Sequence, residues 1–460
     1  MTAERFDDVV IGAGQAGPSL AVRLAGAGRR VALVERRFVG GTCINYGCRP
    51  TKALIASARV AAVARRAAEY GVATGPVTVD MAAVQARVAR IVLDGRQGVA
   101  DWLAATPGLT LVEGHARLTG ARTVAVGART LEAERIFLNV GARPAVPDLP
   151  GVRDIATMSS TDILALSVVP PELVVVGGGY IGLEFAQAFR RLGSEVMLVE
   201  KGPRLIGRED PEISEAVREM LEAEGVRVRT GAECIGFVAG DGGRVGVRVD
   251  CASGAPEAFG THVLLAMGRT PNTGDLGLAA AGVETDGHGQ IRVDEGLATS
   301  VPGIWALGEC NGRGGFTHTA YNDYEIVAAN LLGGGERKVS DRIPTYALFT
   351  DPPLGRCGLS EGEARATGHR LLVGRRPMTR VSRAVEKGET RGFIKVLADA
   401  DTRAILGAAI FGIEGDEAIH AVLDLMVARA PFDTMTRAVH IHPTVAELLP
   451  TVFAELEPAA

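Results

Sequence analysis

Several things are missing from this sequence, and each absence narrows the reading. No apolar run is long and uninterrupted enough to span a bilayer, although 47% of the 460 residues are hydrophobic. No basic stripe is present: 49 Lys and Arg stand against 54 Asp and Glu, a net charge of −5, so the footprint of a nucleic-acid binder is absent. The first eight residues lack the charged-then-apolar layout of a signal peptide and lead straight into an expected strand, so a cytoplasmic location is expected. Cysteine is scarce. Of six, Cys234, Cys251, Cys310 and Cys357 are scattered singly, and only Cys43 and Cys48 form a pair. A zinc site would need a second pair, so no metal site is expected. In a reducing compartment a structural disulfide is disfavoured, and a Cys43–Cys48 bridge would be catalytic. The bland alternatives are half a zinc site or two buried thiols.

What is present centres on Gly40-Gly41-Thr42-Cys43-Ile44-Asn45-Tyr46-Gly47-Cys48-Arg49-Pro50-Thr51-Lys52. Pro50 suits a first helical turn, where its missing N–H costs nothing. The pattern that follows predicts a helix from Pro50 to about Tyr70, which puts Cys48 near its N-terminus. Partial positive charge there favours a thiolate.

Two dinucleotide fingerprints flank this stretch. Phe6 to Ile11 reads as a strand, followed by Gly12-x-Gly14-x-x-Gly17, a helix to about Gly26, and a strand from Arg30 to Val34 ended by Glu35. The pattern recurs: a strand at Leu173 to Val176, Gly177-x-Gly179-x-x-Gly182, a helix from Tyr180 to Leu192, and a strand at Glu195 to Val199 ended by Glu200. The acid follows the first glycine by 23 residues in both copies. The glycines allow the turn, the approach of a pyrophosphate and close helix–strand packing; the acid can bond a ribose. Ordinary glycine-rich turns are the alternative for either copy alone.

Helices are expected at Val79 to Ala105, Glu212 to Glu224 and Ala320 to Leu332. A β-rich stretch at Leu109 to Val140 leads to a first linker at Arg143 to Gly151. Gly268-Arg269-Thr270-Pro271-Asn272 and Gly333-Gly334-Gly335 mark further boundaries. The remainder alternates strands (Thr345 to Phe349, Gly392 to Ala398, Ala404 to Phe411) with helices (Glu361 to Ala366, Asp416 to Ala428, Thr444 to about Glu457). It carries no fingerprint, so it suits an interface domain. The expected fold is α/β, with two Rossmann-like dinucleotide-binding domains and a C-terminal α+β dimerisation domain.

At this point the chain resembles the class I pyridine nucleotide–disulfide oxidoreductases, the group of glutathione reductase, dihydrolipoamide dehydrogenase and mercuric reductase. The resemblance spans essentially the whole chain. It rests on the two fingerprints, Gly41-Thr42-Cys43-x4-Cys48-x-Pro50-Thr51-Lys52, Gly268-Arg269-x-Pro271-Asn272 and His442-Pro443-Thr444-x-x-Glu447. The wording of Gly14 to Pro18 and of Thr350 to Gly355 is most like the mercuric reductase branch. The resemblance implies residues 1–150 as the first part of an FAD-binding domain, 151–270 as an NAD(P)-binding domain, 271–340 as the second, central part of the FAD domain, and 341–460 as the interface domain. It implies FAD at Gly12, Gly14, Gly17, Glu35, Gly41, Thr42, Lys52, Gly141 and Glu309. It implies NAD(P)H at Gly177, Gly179, Tyr180, Gly182, Glu200 and Gly268, with Tyr180 covering the nicotinamide pocket. Electrons would pass through the flavin to the Cys43–Cys48 disulfide and on to a disulfide, a soft metal ion or another small oxidised acceptor. Cys48 would face the flavin and Cys43 the substrate. Lys52 and Glu184 would pair near the flavin edge. His442 and Glu447 would be the acid–base pair, reaching the partner subunit's site in a homodimer, with His440 a milder candidate.

Glu200 favours NADH, since it would bond a free 2′-hydroxyl and repel a 2′-phosphate; Lys201, Arg204 and Arg208 leave room for NADPH. Three departures from the family pattern stand out. Glu309 replaces the usual Asp. Arg49 replaces an apolar residue and is expected to add positive potential beside Cys48. The C-terminal cysteine pair of authentic mercuric reductases is missing. The competing readings are dihydrolipoamide dehydrogenase and a low-turnover redox-sensing flavoprotein subunit.

Overall fold

A computed structural model describes residues 3–250 and 257–459; Cys251 lies outside the described residues. The chain opens with β1 (Glu4–Ile11), α1 (Ala16–Gly26) and β2 (Val31–Glu35). Val9, Val10, Val31 and Leu33 are wholly buried, as expected of parallel strands covered on both faces. Two helices carry the cysteines: α2 (Gly41–Asn45) and α3 (Cys48–Arg65). Then come α4 (Met81–Ala104) and strands β3 (Leu109–Glu113), β4 (Ala116–Gly120), β5 (Thr123–Val126) and β6 (Arg129–Leu138). The sheet order is β3-β2-β1-β6-β5-β4, and β3, β2, β1 and β6 run parallel.

The second unit contains β7 (Glu172–Val176), α5 (Tyr180–Leu192), β8 (Glu195–Val199), α6 (Pro211–Ala223), β9 (Arg227–Arg229) and β10 (His262–Leu265). Its parallel order is β9-β8-β7-β10. In both sheets the strand order reverses at the strand leading into a fingerprint. That switch point is where open α/β sheets take their ligands. The two turn-rich segments read as boundaries pair with each other, Ala142–Pro144 antiparallel to Arg269–Pro271, and so form a two-stranded bridge. The chain then returns to the first sheet through β11 (Ile304–Ala306), parallel to β6, and enters α7 (Thr317–Leu332).

The C-terminal part holds β12 (Thr345–Leu348), β13 (Leu354–Gly358), α8 (Glu361–Ala366), β14 (Leu371–Pro377), β15 (Phe393–Asp399), β16 (Ile405–Phe411), α9 (Gly415–Val427), α10 (Leu449–Ala454) and β17 (Glu457–Pro458). They form an antiparallel sheet, β12-β13-β16-β15-β14-β17. One apolar cluster ties the three parts together, joining Leu54 and Ala58 of α3, Phe185 and Phe189 of α5, and Leu348 and Phe411 of the last sheet.

Some expectations change. The helix expected from Thr444 to Glu457 is only a 3-10 turn (Ala446–Leu448), α10 and a terminal strand. Pro450 sits in the first turn of α10, and without an N–H it cannot carry the α-helical hydrogen-bond ladder back through the preceding turn. Helix α3 stops at Arg65, and a 3-10 turn (Ala67–Tyr70) follows because Arg66 and Tyr70 turn aside to the backbone carbonyl of Lys387. Strand β14 was not anticipated, and neither was β13. Gly355 and Gly358 lower its β-propensity, yet a Cβ on Gly355 would lie 2.2 Å from the Gly415 carbonyl oxygen, so close packing of α9 requires glycine there.

Candidate active site

The two fingerprints are stereochemical copies. Gly12 and Gly177 have φ of 101° and 116°, and a Cβ on either would lie 2.3 Å from a carbonyl oxygen, of Asn139 and Ala266 respectively. A Cβ on Gly17 would lie 2.1 Å from the Gly12 oxygen, and one on Gly182 would lie 2.0 Å from the Gly177 oxygen, so each helix packs directly on its turn. The acids match as well. Glu35 accepts from the N–H groups of Ala13 (2.8 Å) and Arg37 (2.9 Å); Glu200 accepts from those of Gly178 (2.5 Å) and Gly202 (2.6 Å). Both carboxylates are thereby fixed at the strand end, with lone pairs left for a ribose. Gly14 has the Asn139 amide behind it, at 3.2 Å from a Cβ position. At Gly141, Gly179 and Gly268 a Cβ would meet no protein atom, so the backbone there borders open space that a ligand can approach. This cradle fits FAD on the first copy and a nicotinamide dinucleotide on the second. Glu309 ion-pairs with Arg269 at 2.6 Å, so its longer side chain is held by the neighbouring motif.

The cysteines hang from the first cradle. Gly40 and Gly41 both take positive φ, and a Cβ on Gly41 would lie 2.6 Å from the Gly14 Cα. Helix α2 therefore sits directly on the fingerprint loop and brings Cys43 and Thr42 with it. Cys48 is the first residue of α3, after Gly47. Its sulfur lies 3.4 Å from the Thr317 hydroxyl, and Thr317 is the first residue of α7. Two helix N-termini thus converge on one sulfur. Both thiols are free. The hydrogen bond from Cys43, with help from Thr317 and the Lys52 charge, pulls the Cys48 thiol down to about 5 against the opposing effects of burial and Glu184. Cys43 is driven up by the same hydrogen bond, then by burial and the Cys48 charge. The pair is a thiol at Cys43 donating to a thiolate at Cys48. Arg49 lies against Gly95 of α4, and its charge acts on Cys43; the cation acting on Cys48 is Lys52.

Lys52 Nζ contacts both oxygens of Glu184, at 3.0 and 2.8 Å, and sits 4.5 Å from the centre of the Phe349 ring. Glu184 is only 5% exposed and also accepts from the Phe349 N–H at 3.0 Å. A charge so buried is stable only when paired, as here. Tyr180, the first residue of α5, is half-buried, and its hydroxyl donates to Glu209 at 3.2 Å.

His442 Nδ1 lies 2.8 Å from Glu447 Oε2, which leaves Nε2 as the outward-facing nitrogen. His440 instead bonds the Ala446 carbonyl through Nδ1 at 2.7 Å. Among the described residues no hydrogen bond joins His442 to either cysteine of the same chain. The imidazole is 71% exposed and sits beside Val439 (97%) and Ile441 (80%), an apolar strip turned outward. No group of three or more His, Cys, Asp or Glu among the described residues could hold a metal ion. No helix among them is long and apolar enough to cross a membrane.

Three neighbours of the site were not anticipated. Thr317 was missed because its helix was expected to begin near Ala320, three residues late. Asn139 backs the first glycine loop, its amide donating to the Gly12 oxygen at 3.1 Å. Asp323, fully buried, accepts from the Gly308 N–H at 2.8 Å and fixes the turn before α7. Only Asn139, placed at the end of the strand before Gly141, left a trace in the sequence.

A fold with two dinucleotide cradles and a polarised dithiol defines a reductase that moves electrons between nicotinamide, flavin and thiols. The chain belongs to the pyridine nucleotide-disulphide oxidoreductase family: residues 6–323 match that family and residues 344–453 match its dimerisation domain. It is an FAD-dependent enzyme of that family, of the flavoprotein disulfide reductase type. It is 34% identical over 459 residues to the probable pyridine nucleotide-disulfide oxidoreductase RclA of Escherichia coli, covering 98% of this chain and 99% of that one. It is 32% identical to mercuric reductase of Bacillus cereus, covering 95% of this chain and 70% of that protein. The solved Cu(II) complex of the HOCl-induced flavoprotein disulfide reductase RclA superposes with a TM-score of 0.89 at 32% identity, covering 99% of both chains.

Proposed function

We propose that this chain is an NADH-dependent reductase that delivers two electrons through the Cys43–Cys48 pair to a thiophilic acceptor, either a disulfide, which takes both, or a metal ion such as Cu(II), two of which take one electron each to become soft Cu(I). The observation that carries this reading is the polarised dithiol, with a Cys48 thiolate held first by the Cys43 hydrogen bond, then by Thr317 at the start of α7 and by the Lys52 charge. Copper is included because Cu(II) is bound in the RclA complex named above, and thiolates are suitable ligands for such ions. In this reading residues 1–150 and 271–340 hold FAD, 151–270 hold the nucleotide, and 341–460 form the interface domain.

The chemistry that FAD and nicotinamide supply when bound is two-electron transfer from the reduced nucleotide toward the Cys43–Cys48 disulfide. Lys52, ion-paired with Glu184, supplies positive potential beside Cys48. In the homodimer, His442 of one protomer takes the proton from Cys43 of the other, with Glu447 orienting the ring. The Cys43 thiolate attacks a sulfur of the acceptor disulfide, and the far sulfur leaves with the electron pair and the His442 proton. The Cys48 thiolate then attacks Cys43, expels the second sulfur as a thiolate that takes its proton from solvent, and restores the bridge. The Glu200 carboxylate at the second strand end favours a free ribose hydroxyl, whereas Lys201, Arg204 and Arg208 are merely exposed beyond it.

Steady-state assays across Cu(II), Hg(II), lipoamide and glutathione disulfide, each with NADH and NADPH, test the proposal. At least one of these acceptors turns over with higher kcat/KM for NADH, and the activity is lost in Cys43→Ser and Cys48→Ser. Turnover that survives both substitutions, or a strong NADPH preference, would contradict it.

The outward apolar strip beside His442 supports assembly through the C-terminal domain. Ile441→Asp puts a charge where the interface would bury it, at a cost of several kcal/mol. Sedimentation then shows monomers, and acceptor reduction is lost while nucleotide binding persists. A fully active Ile441→Asp dimer would sink the composite site.

A further inference from the structure

Tyr180 is held in place from outside its own unit. Its hydroxyl donates to Glu209 Oε1 at 3.2 Å, and the same oxygen accepts from the Tyr346 hydroxyl at 2.6 Å. The other oxygen of Glu209 meets Arg356 Nη1 at 3.3 Å. Glu209 and Arg356 are each only 3% exposed. Tyr346 and Arg356 come from β12 and β13 of the C-terminal sheet, whereas Glu209 precedes α6 of the second unit. The rings of Tyr180 and Tyr346 lie 5.4 Å apart, and Phe316 stacks on Tyr346 at 5.7 Å.

The turn that presents Glu209 is itself constrained. Ile206 N–H donates to the Gly178 oxygen of the fingerprint at 2.9 Å, and Glu209 N–H donates to the Ile206 oxygen at 2.8 Å. To make both bonds Ile206 takes φ of 38°, the left-handed region that a β-branched residue avoids. Strain of this kind persists where surrounding structure imposes it, and here it delivers a buried carboxylate to one tyrosine hydroxyl.

We propose that Glu209, anchored by Arg356 and shared with Tyr346, is the latch that holds the Tyr180 side chain closed and so sets the affinity for the nicotinamide end of the nucleotide. The proposal rests on the reading that Tyr180 covers the nicotinamide pocket. Opening breaks the bond to Glu209 and the ring contacts with Tyr346 and Phe316 but strands no charge, because Glu209 keeps Tyr346 and Arg356 when Tyr180 leaves. The two tyrosines compete for one acceptor oxygen. Removing the Tyr180 hydroxyl therefore loosens the gate, and removing the Tyr346 hydroxyl tightens it by leaving Tyr180 as the sole hydroxyl donor to that oxygen. Apparent affinity scales with the open fraction. Glu209 and Tyr346 are positioning residues that act through Tyr180.

The test is calorimetric titration of the FAD-loaded dimer with NAD⁺ and, as a probe lacking nicotinamide, ADP-ribose. Tyr180→Phe lowers the Kd for NAD⁺ by roughly 10-fold, the size expected for one hydrogen bond to a charged group. Tyr346→Phe raises it by about 3-fold, a fraction of that same bond. The double variant matches Tyr180→Phe, because Tyr346 has nothing left to act on. ADP-ribose binds all four proteins equally. Equal shifts for both ligands, or a Tyr346→Phe effect that persists in the Tyr180→Phe background, would overturn the latch. If Tyr180→Ala leaves NAD⁺ binding unchanged, the gate reading fails first; if Tyr180→Ala shifts it and the two tyrosines do not couple, only the latch fails.

Discussion

Cys48→Ser abolishes acceptor reduction, with a loss on the order of 10³-fold or more, as is usual when a nucleophile is removed from a concerted set. Binding of nucleotide and FAD is retained, because neither cradle is built from the Cys48 side chain. The companion variant Cys43→Ala is more informative about mechanism. It leaves one sulfur, Cys48, and deletes the hydrogen bond that contributes most to lowering that thiol to about 5, which a serine hydroxyl would still supply. In the reduced wild-type pair the thiolate is present above about pH 5 and is protonated as pH falls through that value. In Cys43→Ala the loss begins at higher pH. Because the two wild-type sulfurs titrate as a coupled pair, the wild-type value belongs to the dithiol. Ultraviolet thiolate absorbance against pH reads this directly. An unmoved titration in Cys43→Ala would remove Cys43 as the source of the polarisation and leave Thr317, Lys52 and the helix ends to account for it.

His442→Ala slows acceptor reduction by about 10²–10⁴-fold, the range for losing a positioned acid–base group, and leaves nucleotide binding unchanged. Glu447→Gln gives a smaller loss, because the imidazole keeps its place but loses the carboxylate at 2.8 Å that orients it. Mixing the two inactive variants separates a site shared between subunits from one contained in a chain. A dimer of one Cys43→Ser protomer and one His442→Ala protomer has one site with both wild-type groups, if each site draws His442 from the opposite chain. Random reassortment then restores roughly a quarter of wild-type activity, since about half the dimers are mixed and each has one good site. No recovery, with mixed dimers confirmed by mass spectrometry, would place both groups on one chain.

The early end of α3 and the unanticipated strand β13 share a cause. Helix α3 ends at Arg65 because Arg66 and Tyr70 reach a carbonyl more than 300 residues away, and β13 tolerates two glycines because a helix presses on one of them. Neither leaves a periodic signal. The same holds for Thr317, separated from Cys48 by 269 positions.

The sequence alone determined the two nucleotide cradles, the acids that close them, the cysteine pair at a helix start and the His442–Glu447 pair. These are short-range features. Glycine is the only residue that fits where a carbonyl oxygen would lie about 2 Å from a Cβ, and an acid at a strand end lies a fixed number of residues beyond its turn. Only the tertiary structure decided which partners polarise Cys48, which cation neutralises Glu309, and how Tyr180 is held. Each depends on side chains delivered by separate sheets to one point, and their spacing along the chain carries no trace of that meeting.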